Sequence, residues 1–146
     1  MDIAKQILIV GGGAGGIATA TSLLKRDRSL DITIIEPSDD HYYQPGWTMV
    51  GAGIFSKEDT RRDTLSVWPS GVTRIKGEVD KFEPAKNLVK LSDGSSIKYE
   101  TLVVACGLKL DWESIEGLSA ALGKNGVTSN YRYDLAPYTW KLVKEM

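Results

Sequence analysis

Residues 7–10 (Ile-Leu-Ile-Val) are four branched apolar side chains in succession, with none of the polar alternation of a half-exposed strand, and they predict a short strand buried on both faces. A run of good helix formers follows at 17–25, and a second short run of β-branched residues at 32–35 (Ile-Thr-Ile-Ile) predicts another strand, so the opening third reads β-α-β. From Val72 the period changes. Segments 72–76 and 77–79 look extended, and 88–91 and 97–99 read as two strands joined by a turn at 92–95 that carries Asp93 and Gly94, a favoured hairpin dipeptide. Residues 101–105 (Thr-Leu-Val-Val-Ala) form a further apolar strand closed by Cys106 and Gly107. The pattern predicts an α/β fold: a parallel sheet core with an antiparallel β-meander inserted as a crossover.

Between these elements the pattern is less regular. Residues 37–48 are rich in turn formers and aromatics and predict a loop with contacts of its own, while 49–55 hold too many glycines to predict a helix. Ser56 and Asp59 have the spacing of a capping box, 61–63 (Arg-Arg-Asp) reads as a solvated charged pair, and 68–71 as a turn. A Gly/Asn-containing loop is expected at 123–126, and 137–143 starts as an amphipathic helix. That helix meets the last residue with no cap and no following element. The chain is therefore expected to be the N-terminal part of a longer protein, with 1–146 forming its dinucleotide-binding domain and 111–146 leading toward a second one.

Composition narrows the function classes. Lys plus Arg (18) nearly balance Asp plus Glu (19) in 146 residues, so no net field favours nucleic acid or an acidic membrane surface. The first six residues have neither the apolar core of a signal peptide nor the arginine-rich character of a transit peptide, which predicts a cytoplasmic start. A single cysteine, Cys106, excludes an intramolecular disulfide, and a single histidine, His41, excludes a histidine-based metal site.

The chemistry concentrates after the first strand. Gly11, Gly13 and Gly16 have the GxGxxG spacing of a dinucleotide-binding turn: Gly11 for the tight turn, Gly13 for backbone approach to a pyrophosphate, Gly16 for close packing of helix on strand. Ala14 and Gly15 then open the helix, whose unpaired N–H groups and positive dipole end suit an anion. Glu36 ends the second strand 20 residues past Gly16, the distance at which an acidic side chain meets the adenosine ribose. A carboxylate there also disfavours a 2′-phosphate. The expected architecture is Rossmann-like.

Taken in order, the glycine turn, Glu36, the stretch HYYQPGWTMVGAG at 41–53, the meander, and VVACG at 103–107 resemble the sulfide:quinone oxidoreductases, flavoproteins with two dinucleotide-binding domains in the disulfide-reductase-like superfamily. The likeness extends through LDWESIEGL at 110–118 and SNY at 129–131. It implies FAD as the cofactor. Gly11 to Gly16 would hold the pyrophosphate, Glu36 the ribose and the backbone of Val79 the adenine; Gln44 would contact FAD after the second strand, Pro45 would lie near the flavin end, and Ala105 and Gly107 would pass close to the cofactor. Cys106 stands where such flavoproteins carry threonine, and so lacks that hydroxyl. The implied reaction passes electrons from sulfide through FAD to a membrane quinone, in a protein attached peripherally to the membrane, with a further copy of itself among the partners to be considered.

Such sulfur chemistry needs two thiols near the flavin, and this chain has one. Cys106 closes a buried apolar strand with no cation beside it and reads as an inert structural thiol rather than a nucleophile. No catalytic residue is therefore assigned here, and the redox cysteines are expected beyond Met146. Two other readings stay open: a nucleotide-binding module without turnover, and the first domain of a related NADH:quinone-type flavin dehydrogenase. His41 reads as a hydrogen-bonded loop residue or a flavin neighbour, and Tyr42, Tyr43 and Trp47 as loop packing or as cofactor-stacking rings.

Overall fold

The computed structural model describes residues 4–146; residues 1–3, part of the leading segment read for targeting signals, lie outside it. The chain forms two compact units. The first takes the chain up to His41 together with Asp63–Gly107, and the second Tyr42–Arg62 together with Leu108–Met146. In chain order the elements are β1 (Lys5–Val10), α1 (Ala14–Arg26), β2 (Ile32–Ile35), β3 (Asp40–Tyr42), α2 (Gly46–Gly51), β4 (Arg61–Asp63), β5 (Val72–Ile75), β6 (Val79–Glu83), β7 (Leu88–Leu91), β8 (Ser96–Val104), α3 (Leu118–Ala121) and α4 (Ala136–Glu145).

A six-stranded sheet of order β5-β2-β1-β8-β7-β6 forms the first unit. Its β5, β2, β1 and β8 run parallel, while β8, β7 and β6 alternate as the predicted meander. β1 lies at the centre and is buried on both faces, as its unbroken apolar run requires. Ile7 and Ile9 face α1 and pack with Ala20, Ile32 and Ile34, whereas Leu8 and Val10 face the meander and pack with Ile35, Val89, Leu91 and Tyr99. Shortening Ile9 or Leu8 to alanine would open a cavity costing about 2–5 kcal/mol.

Two strands expected at 97–99 and 101–105 are one continuous β8. Its first residues, Ser96–Lys98, pair with β7, and from Tyr99 onward it pairs with β1. No strand pairs with the far edge of 101–104 among the described residues, so this apolar run is not buried throughout and Val104 remains 58% exposed. β6 begins at Val79, where the extended segment had been expected to end.

In the second unit, α2 forms where glycine content argued against a helix. Pro45 sets the entry with φ −58°, and Val50 is buried, so tertiary packing overrides low propensity. Ser56 and Asp59 exchange hydrogen bonds in the predicted manner: the backbone N–H and hydroxyl of Ser56 donate to the Asp59 carboxylate, and the Asp59 N–H donates back to the Ser56 hydroxyl. The solvated charged stretch at 61–63 is exposed as expected and forms the strand β4, and in the first unit Asp63 turns its carboxylate to the N–H groups of Leu65 and Ser66, capping a short 3-10 turn. The predicted amphipathic helix is α4.

β6 and β7 are joined by a 3-10 turn at Pro84–Lys86, next to which Glu83 lies within 2.8 Å of Lys86, 3.0 Å of Lys90 and 3.7 Å of Lys81. Hydrogen bonds from Lys86 and then Lys90 hold its carboxyl down from an ordinary 4.5 to about 2. A depressed carboxylate stabilises the fold fully above its unfolded value, and that contribution is lost as pH falls through the folded value. The Glu83 carboxyl is therefore expected to titrate near pH 2 by carbon NMR, and the Glu83→Gln protein to lose less stability than the native one between pH 4.5 and 2. An ordinary titration midpoint for Glu83 would contradict the lysine arrangement.

Candidate functional site

The turn from β1 into α1 is built on close backbone contacts that leave no room for side chains. Gly11 has φ +103°, and a β-carbon there would sit 2.3 Å from the Ala105 carbonyl oxygen. At Gly16 it would lie 1.9 Å from the Gly11 oxygen, so α1 rests directly on the turn. Gly13 differs: nothing lies within 4 Å of its missing β-carbon. It is also the N-cap of α1, with no side-chain cap and no acidic residue in the first turn. The N–H groups of the first turn have no intrahelical partner and carry the positive end of the helix dipole. An open approach, unpaired donors and a positive end together make an anion cradle.

Beside it, Glu36 is fixed from two directions. Its Oε2 accepts the Gly12 N–H at 2.7 Å and its Oε1 the Ser38 N–H at 2.7 Å, while its own N–H donates to the Ile75 carbonyl at 3.0 Å. Each carboxylate oxygen keeps a further acceptor position for a hydroxyl group. The first unit also contains a cleft of about 270 Å³ lined by Gly11, Glu36 and Val79 from the predicted set. Glu78, Phe82 and Cys106 line it as well and were not assigned to the site from sequence.

Gly12 is another residue that sequence reasoning passed over, because it occupies a free position of the fingerprint. A β-carbon on it would meet the Glu36 β-carbon at 2.8 Å and the Trp68 ring at 3.0 Å. Trp68 is held in turn: its indole N–H donates to the Val72 carbonyl at 3.0 Å, and the Arg74 guanidinium lies 5.7 Å from its ring. Arg74 also donates to the Ser38 carbonyl at 2.7 Å. Gly12, Trp68 and Arg74 thus hold Glu36 in place. The available signal was a glycine where the motif demands none.

Of the predicted residues, Gly11, Gly13, Ala14, Gly15, Gly16, Glu36, Val79 and Ala105 all fall within the first unit, with Ala105 against Gly11 and 3.8 Å from where a Gly15 β-carbon would be. Gly107 closes that unit with φ +74°. Gln44 and Pro45 belong to the second unit, at the head of α2. Within that unit Tyr42 and Trp47 pack against Tyr133, with ring centres 4.9 and 6.2 Å away, so they serve as packing anchors. Tyr43 is 55% exposed. His41 is half-buried in β3.

Cys106 corrects the sequence reading. It is exposed and not buried, because it follows the stretch of β8 that has only one strand neighbour. Its Sγ lies 3.8 Å from the Val10 carbonyl oxygen, at the wall of the cleft.

Two outcomes are expected from this geometry. Gly12→Ala forces Glu36 or Trp68 aside, lowering stability by about 1–3 kcal/mol in denaturant unfolding and weakening adenine-nucleotide binding by roughly tenfold. A variant with native stability and affinity would sink the positioning role. Alkylation of Cys106 is expected to slow severalfold when the cleft is filled by ADP, followed by mass spectrometry, and unchanged labelling would place the nucleotide elsewhere.

Comparison with known proteins gives a consistent picture. The family model for pyridine nucleotide-disulphide oxidoreductases matches residues 5–137. The mitochondrial sulfide:quinone oxidoreductase of Dictyostelium discoideum is 48% identical over 142 residues, covering 97% of this chain and 31% of its own. That of Mus musculus is 40% identical over 139 residues, covering 95% and 31%. The X-ray structure of the sulfide:quinone oxidoreductase from Aquifex aeolicus superposes with a TM-score of 0.74 at 29% identity, covering 97% of this chain and 32% of that one. The chain spans about a third of the length of these relatives.

Proposed function

Because the chain belongs to the pyridine nucleotide-disulphide oxidoreductase family, we propose that it is the FAD-binding portion of a flavoprotein that oxidises sulfide and delivers the electrons to a membrane quinone. The cofactor is FAD. The observation that carries its placement is the open side of Gly13 at an uncapped helix end, next to a carboxylate already fixed by backbone N–H groups. The sulfide assignment draws its support from the 48% and 40% identities to sulfide:quinone oxidoreductases and from the stretch at 41–53.

The division of labour follows from the residues. Backbone N–H groups of Ala14, Gly15 and Gly16 donate to the pyrophosphate oxygens, and the helix dipole offsets part of their charge. Glu36 accepts hydrogen bonds from the ribose hydroxyls, and its charge rejects a 2′-phosphate. Val79 offers its backbone to the adenine. Ala105 presses on Gly11 and fixes the turn, and Gly107 ends the segment without a side chain. Gln44 is assigned to FAD, and Pro45 to its flavin end, by family likeness alone. When bound, FAD supplies two-electron redox chemistry that no side chain here provides.

This chain by itself binds and does not turn over. Cys106 is its only cysteine, and sulfur relay chemistry requires a pair, so the thiols are assigned to the rest of the protein. No helix among the described residues is long and apolar enough to cross a membrane. The quinone and the membrane surface are likewise assigned to segments outside these residues.

The test begins with the absorbance spectrum of the purified chain and chromatography of any released cofactor. FAD is expected at about one per chain, bound or after reconstitution, with Glu36→Gln weakening it by about tenfold or more. Binding of NAD in its place, or no flavin under any condition, would overturn the cofactor site. Sulfide-dependent quinone reduction by the longer protein then decides the substrate, and NADH oxidation without sulfide oxidation would reassign it.

A further inference from the structure

β6 departs from regular strand geometry at the cleft. Val79 lies opposite Leu91, Lys81 opposite Lys90 and Phe82 opposite Val89, with a register shift between Val79 and Lys81. Asp80 is thus an inserted residue, a β-bulge. In an uninterrupted strand residues three apart point to opposite faces. Here cross-strand partners share a face, and Val89 and Leu91, two apart, share one with each other. The extra residue therefore turns Phe82 to the same side as Val79, and both line the cleft.

The chemistry of the lining says what that side receives. Val10, Ile35, Val79 and Phe82 supply apolar surface, and two acidic residues, Glu36 and Glu78, line the same cleft. Those charges repel phosphate, which goes to the end of α1, and leave the cleft to an uncharged group. Phe82 keeps 38% of its surface exposed although Val89 opposite is fully buried. An aromatic ring left open in such a place offers a face to a flat heteroaromatic base, and base-aromatic stacking is strong and grows with overlap.

Resting on the reading that the site holds FAD, we infer that Phe82, turned inward by the bulge at Asp80, determines the base specificity of the cleft by packing on the adenine and favouring a two-ring base over a one-ring base. Val79 then contributes its backbone and Phe82 the apolar wall. The bulge is the device that allows both on one strand.

Calorimetric titration of the chain with ADP, CDP and ribose 5-diphosphate tests this, alongside melting curves. ADP is expected to bind more tightly than CDP. Phe82→Ala is expected to weaken ADP about tenfold, to remove most of the ADP-over-CDP preference, and to leave ribose 5-diphosphate unchanged. Phe82→Tyr keeps the native pattern. Because Phe82 is already partly exposed, the melting temperature moves little. ADP affinity unaltered in Phe82→Ala, or equal losses for ADP and ribose 5-diphosphate, overturns the inference while the FAD site stands. A native chain that binds neither ADP nor FAD overturns the FAD reading itself, and this inference with it.

Discussion

The contact on which the first unit depends is that of α1 with the turn that precedes it. With a Gly16 β-carbon position only 1.9 Å from the Gly11 oxygen, the helix cannot be displaced by even a methyl group without moving the turn. That approach sets three things together. It lets Ala20 reach Ile7 and Ile9 in the core, it aims the helix end at the open side of Gly13, and it seats Gly11 against Ala105 of the strand exit. Stability and binding are therefore not separable at this turn. The same absent side chains that allow dense packing also expose the donors an anion needs.

Glu36 extends the same logic from phosphate to ribose. A carboxylate on a strand end would ordinarily sample several rotamers, and ordering it on binding would cost affinity. Two backbone N–H groups already hold it, and Gly12 gives it space against the Trp68 ring. The site is ordered before any ligand arrives. The chain belongs to the pyridine nucleotide-disulphide oxidoreductase family and spans about a third of the length of its curated relatives.

Where local chemistry dictates structure, the sequence was legible. β1 and β2 carry short runs dominated by branched apolar residues that a doubly covered parallel strand satisfies, Asp93 and Gly94 mark the hairpin of β7 and β8, and the glycine spacing with Glu36 locates the cradle. Where long-range packing decides, it was not. The extent of β8 depends on which strand covers each edge, so the apolar run at 101–105 looked like a separate, buried strand and Cys106 like a core thiol. α2 forms against its glycine content because Val50 is buried by distant residues. Phe82 was hidden for a third reason: an inserted residue in β6 inverts the parity on which any face assignment rests.

β8 carries a consequence for how the first unit forms. The partners of β1 are β2, near in sequence, and β8, separated from it by almost the whole unit. Contacts of such separation slow folding, because the entropy of closing a long loop opposes them. The far wall of the N-terminal turn, Ala105, comes from the distant end of that loop. A dinucleotide that binds only the closed state then acts as a folding ligand, shifting the population toward it by mass action.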